Sequence, residues 1–143
     1  MRIAGAYTLP FAPARTYTLM QDPEALARAI PGCESLNRIG ENEYRMKMKM
    51  ALASLSGAFD GRVRITDQNP PWSFRMIVEG TGKIGFIKGD GLIKIALTAS
   101  DDSEVVYEGD AQVGGTIAAV GQRLIEASAK MMVKKFFENL VSG

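Results

Sequence analysis

The chain has 143 residues, 46% of them hydrophobic, and its 17 basic and 16 acidic side chains leave a formal net charge of +1. That size suits one domain, residues 1–143, burying about two thirds of its unfolded surface, and the near-balanced charge argues against nucleic acid as a partner. A single cysteine excludes an internal disulfide framework, the absence of histidine removes the commonest general base and metal ligand, and no apolar run is long enough to span a membrane.

Arg2 to Leu9 reads as a strand stopped by Pro10. Pro13 opens a short helix over Ala14 to Gln21, and Asp22-Pro23 reads as an N-cap with proline at the first helical position, opening a second one through Ala29. Pro31-Gly32 ends it, and Cys33 to Ile39 forms a strand closed by Gly40-Glu41-Asn42. From Glu43 to Leu52 the alternation is strict: Tyr44, Met46, Met48, Met50 and Leu52 on one side, Arg45, Lys47 and Lys49 on the other. Period two of this kind marks a half-buried antiparallel strand. Ala58 to Asp67 repeats it, with Phe59, Val63 and Ile65 inward and Arg62 and Arg64 outward. Asn69-Pro70-Pro71 turns the chain into Ser73 to Glu79, which sets Phe74, Met76 and Val78 on one face. Gly80 to Gly91 is glycine-rich and carries Ile84, Phe86 and Ile87. Leu92 to Ala99 alternates again, and Asp101-Asp102-Ser103 turns into Glu104 to Val113, where Val105, Tyr107, Ala111 and Val113 share a face.

After the hinge Gly114-Gly115, Thr116 reads as the N-cap of a helix of about 26 residues, roughly 39 Å long. Ile117, Val120, Leu124, Ile125, Met131, Met132, Phe136 and Leu140 fill one broad sector, and small residues such as Ala118, Gly121, Ser128 and Ala129 interrupt the bulk. Strands and helices segregated along the chain imply an α+β fold, a curved antiparallel sheet of six or seven strands around the terminal helix. Glycines 57, 61, 80, 91 and 109 sit where such a sheet bends.

Gly80-Thr81-Gly82-Lys83-Ile84-Gly85 has the glycine spacing of a dinucleotide fingerprint, but it lies between strands instead of opening a helix and is read as structural. Cys33, without histidine, reads as a quiet buried thiol. The basic outer face of Arg45, Lys47, Lys49, Arg62 and Arg64 reads first as solvated sheet surface. The lining remains. Methionine is flexible and tolerates irregular gaps and varied apolar guests. The expected lining of a cavity between sheet and helix is Tyr44, Met46, Met48, Met50, Phe59, Val63, Phe74, Met76, Phe86, Tyr107, Val120, Leu124, Ser128, Met131 and Met132. Tyr107, Tyr44 or Ser128 would supply polar anchors, and Ile30, Pro31, Phe86 and Ile87 the rim. No metal or cofactor is expected.

The order of elements resembles the carbon monoxide dehydrogenase CoxG family of the START-like (SRPBCC, helix-grip) superfamily, which also contains polyketide cyclases and lipid carriers. The matching residues are Asp22-Pro23-Glu24 with Leu26, Ile30-Pro31-Gly32-Cys33-Glu34, Gly57 to Val63, Asp67 with Pro70-Pro71, Gly80-Thr81-Gly82, Tyr107-Glu108-Gly109, Val113-Gly114-Gly115 and Phe136-Phe137. Tyr17 stands where the family usually has a tryptophan, and no membrane-attachment tail follows Gly143. The resemblance implies a deep apolar cavity, a non-catalytic accessory role beside a molybdenum-containing dehydrogenase, a quinone- or lipid-like guest, and peripheral contact at the inner membrane face; the single cysteine and the lack of an apolar span set the expectation of a cytoplasmic protein.

Two alternatives stay open. One is an enzyme of the cyclase or dehydratase type, which would need Tyr107, Tyr44, Asp60 or Glu108 as its acid or base, although strand parity points Asp60 and Glu108 outward. The other is an interaction module whose basic surface docks a molybdenum dehydrogenase.

Overall fold

The computed structural model describes residues 1–52 and 54–143. In chain order it contains β1 (Arg2–Leu9), α1 (Pro13–Leu19), α2 (Pro23–Ala29), β2 (Cys33–Gly40), β3 (Glu43–Leu52), β4 (Leu55–Asn69), β5 (Ser73–Gly82), β6 (Gly85–Leu97), β7 (Ser103–Gly114), a 3-10 turn (Thr116–Val120) and α3 (Gln122–Ser142). The seven strands form one antiparallel sheet in the order β1-β7-β6-β5-β4-β3-β2. Every neighbour in sequence is a neighbour in space except β1, which closes onto β7.

The ladder explains the burial. Side chains alternate between faces with period two, so register decides which residues share the concave side. Across the sheet, Tyr107 pairs with Ile93 and Ile93 with Phe74; further along, Ala111 pairs with Gly89, Gly89 with Val78, Val78 with Val63 and Val63 with Tyr44. The alternation read from Glu43 to Leu52 holds in space: Tyr44, Met46, Met48 and Leu52 are buried, and Arg45, Lys47 and Lys49 are exposed. The glycine-rich run that the sequence leaves unassigned is strand at both ends, as β5 continues to Gly82 and β6 begins at Gly85.

The two short helices close one end of the concave side. Pro13 opens α1, and the Asp22 carboxylate accepts from the Ala25 amide at 3.0 Å to cap α2. A buried hydroxyl pair fastens α1 to the sheet: Thr16 donates to Ser103 (2.9 Å), whose own hydroxyl donates to the Phe11 carbonyl (2.6 Å). Around it lie Leu9, Tyr17, Leu26, Phe74, Ile95 and Val105, all buried, with Tyr17 edge-on to Phe74. α3 crosses the concave side, and its nearest backbone approaches are to α2, β1 and β3. It therefore rests on both flanks of the sheet. The Asn139 amide donates to the Ala29 carbonyl at 3.2 Å, and Phe137 stacks on Tyr7 at 4.6 Å.

The terminal helix differs from the sequence reading in its start and its facing. Thr116 opens a 3-10 turn, and the α-helix begins after Gly121, whose φ of 98° is one that side-chain-bearing residues avoid. The Ile117 amide bonds the Ile84 carbonyl (2.7 Å) and pins this turn to the β5–β6 connection. Restarting at Gly121 rotates the inner side: Phe137 and Leu140 are buried, while Leu124 and Met131 are 39% and 59% exposed. Leu124 and Met131 thus face outward instead of lining a space between helix and sheet, because the wheel drawn from Thr116 assumes one continuous helix.

Gly121 carries a direct test. A Cβ at this position would have nothing within 4 Å, so a Gly121→Ala variant suffers from backbone conformation alone. It should lose about 1–3 kcal/mol in a urea titration, without a change in circular dichroism at zero denaturant.

Candidate functional site

The concave side has a packed part and an open part. On β3 and β4, Tyr44, Met46, Met48, Phe59 and Val63 are buried in the main core, and Phe74 joins them from β5. The methionines expected to line a cavity there fill the space instead, with Met50 half-buried at the end of the row. On β5, β6, β7 and β1 the inward residues are different. Met76, Val78, Ile87, Tyr107 and Val113 are all half-buried, as are Val120, Ile125, Ser128 and Met132 on the 3-10 turn and α3.

In the middle of that open part the side chains vanish. Gly109 and Ala111 on β7 lie beside Gly91 and Gly89 on β6, making a two-by-two patch of small residues on one face. With strands about 4.8 Å apart and about 7 Å between alternate residues, the patch has the dimensions of a small ring system. Met76 and Val78 flank it on β5, Tyr107 and Ile93 at one end, Ile87 and Val113 at the other.

The glycines of this sheet differ in what they need. A Cβ on Gly109 would stand 2.5 Å from the Asp90 carbonyl oxygen, one on Gly61 3.0 Å from that of Glu79, and one on Gly82 would collide with that of Ala58. Backbone crowding accounts for these three. On Gly89 and Gly91 the nearest atoms are single carbonyl oxygens at 4.0 and 3.5 Å, and no side chain comes within 4 Å. Neither has a positive φ. Glycine within a strand costs about 0.5–1 kcal/mol relative to alanine, and here neither sterics nor conformation asks for it. Room above the floor is what these two positions supply. A hollow of about 630 Å³ lies at the junction of the 3-10 turn and α3, lined by Val120, Gly121, Gln122, Arg123, Leu124 and Glu126.

Phe86 is not part of this lining. Because β6 begins at Gly85, residue 86 falls on the convex parity, 39% exposed, with its ring against Gly114 and Lys88 above it at 5.9 Å. Tyr44 is spent as a polar anchor: its hydroxyl donates to the Gln21 carbonyl at 2.6 Å and accepts from Arg38 at 3.3 Å. Of the rim residues, Ile30, Pro31 and Ile87 are half-buried. Sequence reasoning passed over Tyr7, Val78 and the two floor glycines. The parity of Ile93 and Ile95, extended backward through residues 91 and 89, was the signal that would have found the glycines.

The convex face behaves as ordinary surface. Arg45 pairs with Asp60 (3.8 Å), Lys49 with Glu34 (3.7 Å) and Arg62 with the half-buried Glu43 (3.7 Å), the cations all exposed. Such pairs are worth little individually, but they neutralise much of the basic stripe. Asp60 and Glu108 are exposed on this side, away from the open floor. Cys33 is half-buried; burial foremost, then Glu34, push its thiol up, outweighing the bond to the Ser35 carbonyl. Among the described residues no His, Cys, Asp and Glu cluster suited to a metal occurs, and no helix is long and apolar enough to cross a membrane.

Residues 5–142 match the family described as the CoxG subunit of carbon monoxide dehydrogenase. The chain belongs to the CoxG family. Among solved structures, a conserved protein from Geobacillus kaustophilus superposes with a TM-score of 0.94 at 30% identity, over 99% of this chain and 93% of that one. A START superfamily protein from Mycobacterium smegmatis gives 0.73 at 11% identity, over 99% and 94%. The ZhuI aromatase/cyclase from Streptomyces sp. R1128 gives 0.72 at 11% identity, over 99% and 92%. The last two show the fold, a START-like helix grip. No curated protein sequence matches the chain.

Two tyrosines of the packed end offer a paired test. The Tyr17 hydroxyl is buried without a partner among the described residues, while the Tyr44 hydroxyl is bonded. Tyr44→Phe should cost about 1–2 kcal/mol in chemical denaturation, and Tyr17→Phe should cost nothing or stabilise, because only the former removes a hydrogen bond, the one to the part-buried Gln21 carbonyl.

Proposed function

We propose that this CoxG-family protein binds an uncharged apolar molecule, quinone- or lipid-like, in the open half of its helix grip, and acts as an accessory protein without chemistry of its own. The observation that carries this reading is the side-chain-free floor of Gly89 and Gly91 on the concave face of the sheet. An apolar guest there would cover Met76, Val78, Ile87 and Val113, which are only half-buried in the free protein. At about 25 cal/mol per Å² of apolar surface removed from water, covering such a wall favours binding without any charged contact. The family supports a role beside a molybdenum-containing dehydrogenase.

The outer side of α3 supports peripheral membrane contact as the place where the guest is taken up. Leu124 and Met131 are exposed there among Arg123, Lys130 and Lys134, beside the hollow at the helix start. Basic and apolar residues interleaved in this way suit the surface of an anionic bilayer. A cyclase or dehydratase reading has less support, since Asp60 and Glu108 lie on the opposite face of the sheet.

The guest site is tested by filling it. Wild-type protein should take up the neutral dye N-phenylnaphthylamine saturably, and Gly91→Leu should weaken uptake at least tenfold. Gly91→Ala, with ordinary backbone clearance of 3.5 Å, should fold with equal or higher stability. Full uptake by a folded Gly91→Leu variant would place the guest elsewhere. For the surface, Met131→Glu should reduce sedimentation with phosphatidylglycerol vesicles and leave dye uptake in solution unchanged; equal sedimentation would remove α3 from the contact.

A further inference from the structure

The two edges of the sheet are built differently. β2, at one edge, shifts register against β3 twice, between Cys33 and Ser35 and between Arg38 and Gly40. Bulges of this kind turn an edge strand away from further pairing. β1, at the other edge, pairs with β7 at every position from Arg2 to Leu9 without a shift. That span has no proline, and Arg2 is its one charged residue.

The hydrogen bonds at the start of β1 fix which main-chain groups face outward. The Met1 amine donates to the Ala111 carbonyl (2.9 Å), and the Ala111 amide donates to the Met1 carbonyl (2.8 Å), so residue 1 belongs to a bonded pair. Bonded and non-bonded pairs alternate along an antiparallel ladder. Ile3, Gly5 and Tyr7 therefore direct their main-chain groups to β7, and Arg2, Ala4, Ala6 and Thr8 direct theirs to the free edge. The latter residues are all exposed, and among the described residues nothing hydrogen-bonds their outward amides and carbonyls.

Residues 2–8 are also matched in bulk about Gly5: Ala4 with Ala6, Ile3 with Tyr7, Arg2 with Thr8. We infer that β1 is a homodimer edge, on which β1 of a second copy adds antiparallel about a two-fold axis at Gly5, joining two seven-stranded sheets into one. Arg2 then forms a bonded pair with Thr8 of the second copy, and Ala4 with Ala6. On the concave face Ile3 meets Tyr7 of the second copy, an aliphatic–aromatic pair between side chains that are only half-buried in one chain. Gly5 meets its own counterpart at a non-bonded position, where strands approach most closely. The Tyr107 hydroxyl lies 2.5 Å from where a Gly5 Cβ would stand, so each edge glycine is covered by a phenol of its own chain. On the convex face no like charges meet. Arg2 faces Thr8, whose neighbour on β7 is Glu104, an exposed carboxylate with no ion-pair partner among the described residues. Sliding the second strand by two residues would set Gly5 against Ile3 or Tyr7 and lose this matching.

Sedimentation equilibrium of the full chain tests the edge, over about 10 to 500 µM because a strand-to-strand interface is small. The wild-type mass should rise from one chain to two across that range. Ala6→Pro removes an outward amide and no bond to β7; it should stay at one chain throughout, with unchanged circular dichroism. Ala4→Lys with Ala6→Lys places lysines opposite each other across the axis on the exposed face, and should also stay monomeric. Ala4→Glu with Ala6→Lys makes those same positions attract and should restore the dimer. A wild-type mass of one chain at every concentration overturns the inference. So does a dimer that survives the double lysine variant, which would put the contact elsewhere, or a glutamate–lysine variant that stays monomeric, which would refute the pairing about Gly5.

Discussion

The antiparallel register from β1 across the sheet to β3, shifted between Thr66 and Asn69 where β4 meets β5, is the constraint on which the rest of this structure depends. Every residue's face follows from it, because a slip of one position would turn each inward side chain out. The pairing of Gly109 with Gly91 and of Ala111 with Gly89 sets four small residues side by side in the middle of the sheet. Gly109 allows the close approach to the Asp90 carbonyl. Once that approach is made, Gly89 and Gly91 become the base of an open slot.

The two halves of the concave side differ in how they are packed. One end is closed by α1 and α2 and packed with Leu9, Leu26, Phe74 and Val105, so the cohesion of the fold is concentrated there. The other end forgoes that packing. α3 can span it because its anchors lie on the flanks and at its far end, at Tyr7 and Ala29, and because the 3-10 turn is tied to Ile84. A helix held in this way needs no filler beneath its first turns. Fold-level kinship with START-like proteins of other functions leaves chemistry to the site itself, and the floor here is flanked by Met76, Val78, Ile87, Ile93 and Val113, with Tyr107 at one end.

Much of the architecture was legible in the chain. The alternation from Tyr44 to Leu52, the proline-marked helix starts and the Asn69-Pro70-Pro71 turn each gave an element its place within a few residues. These signals are local: a strand's parity, a cap and a fixed proline φ are written in consecutive residues. The family followed from motifs spread over nearly the whole length, which the match over residues 5–142 confirms.

The lining was less legible, for a definite reason. Met46, Met48 and Met76 have the same parity on paper, yet the first two are packed and the third is half-open, since that depends on where α2 and α3 rest. Leu124 and Met131 moved outward and Phe137 inward through one glycine dihedral at residue 121. Sequence alone determined which residues share a strand face, because covalent geometry imposes the period of two. Only the tertiary structure decided which of them meet another side chain and which face empty space, because that depends on contacts between segments a hundred residues apart, such as Asn139 with Ala29.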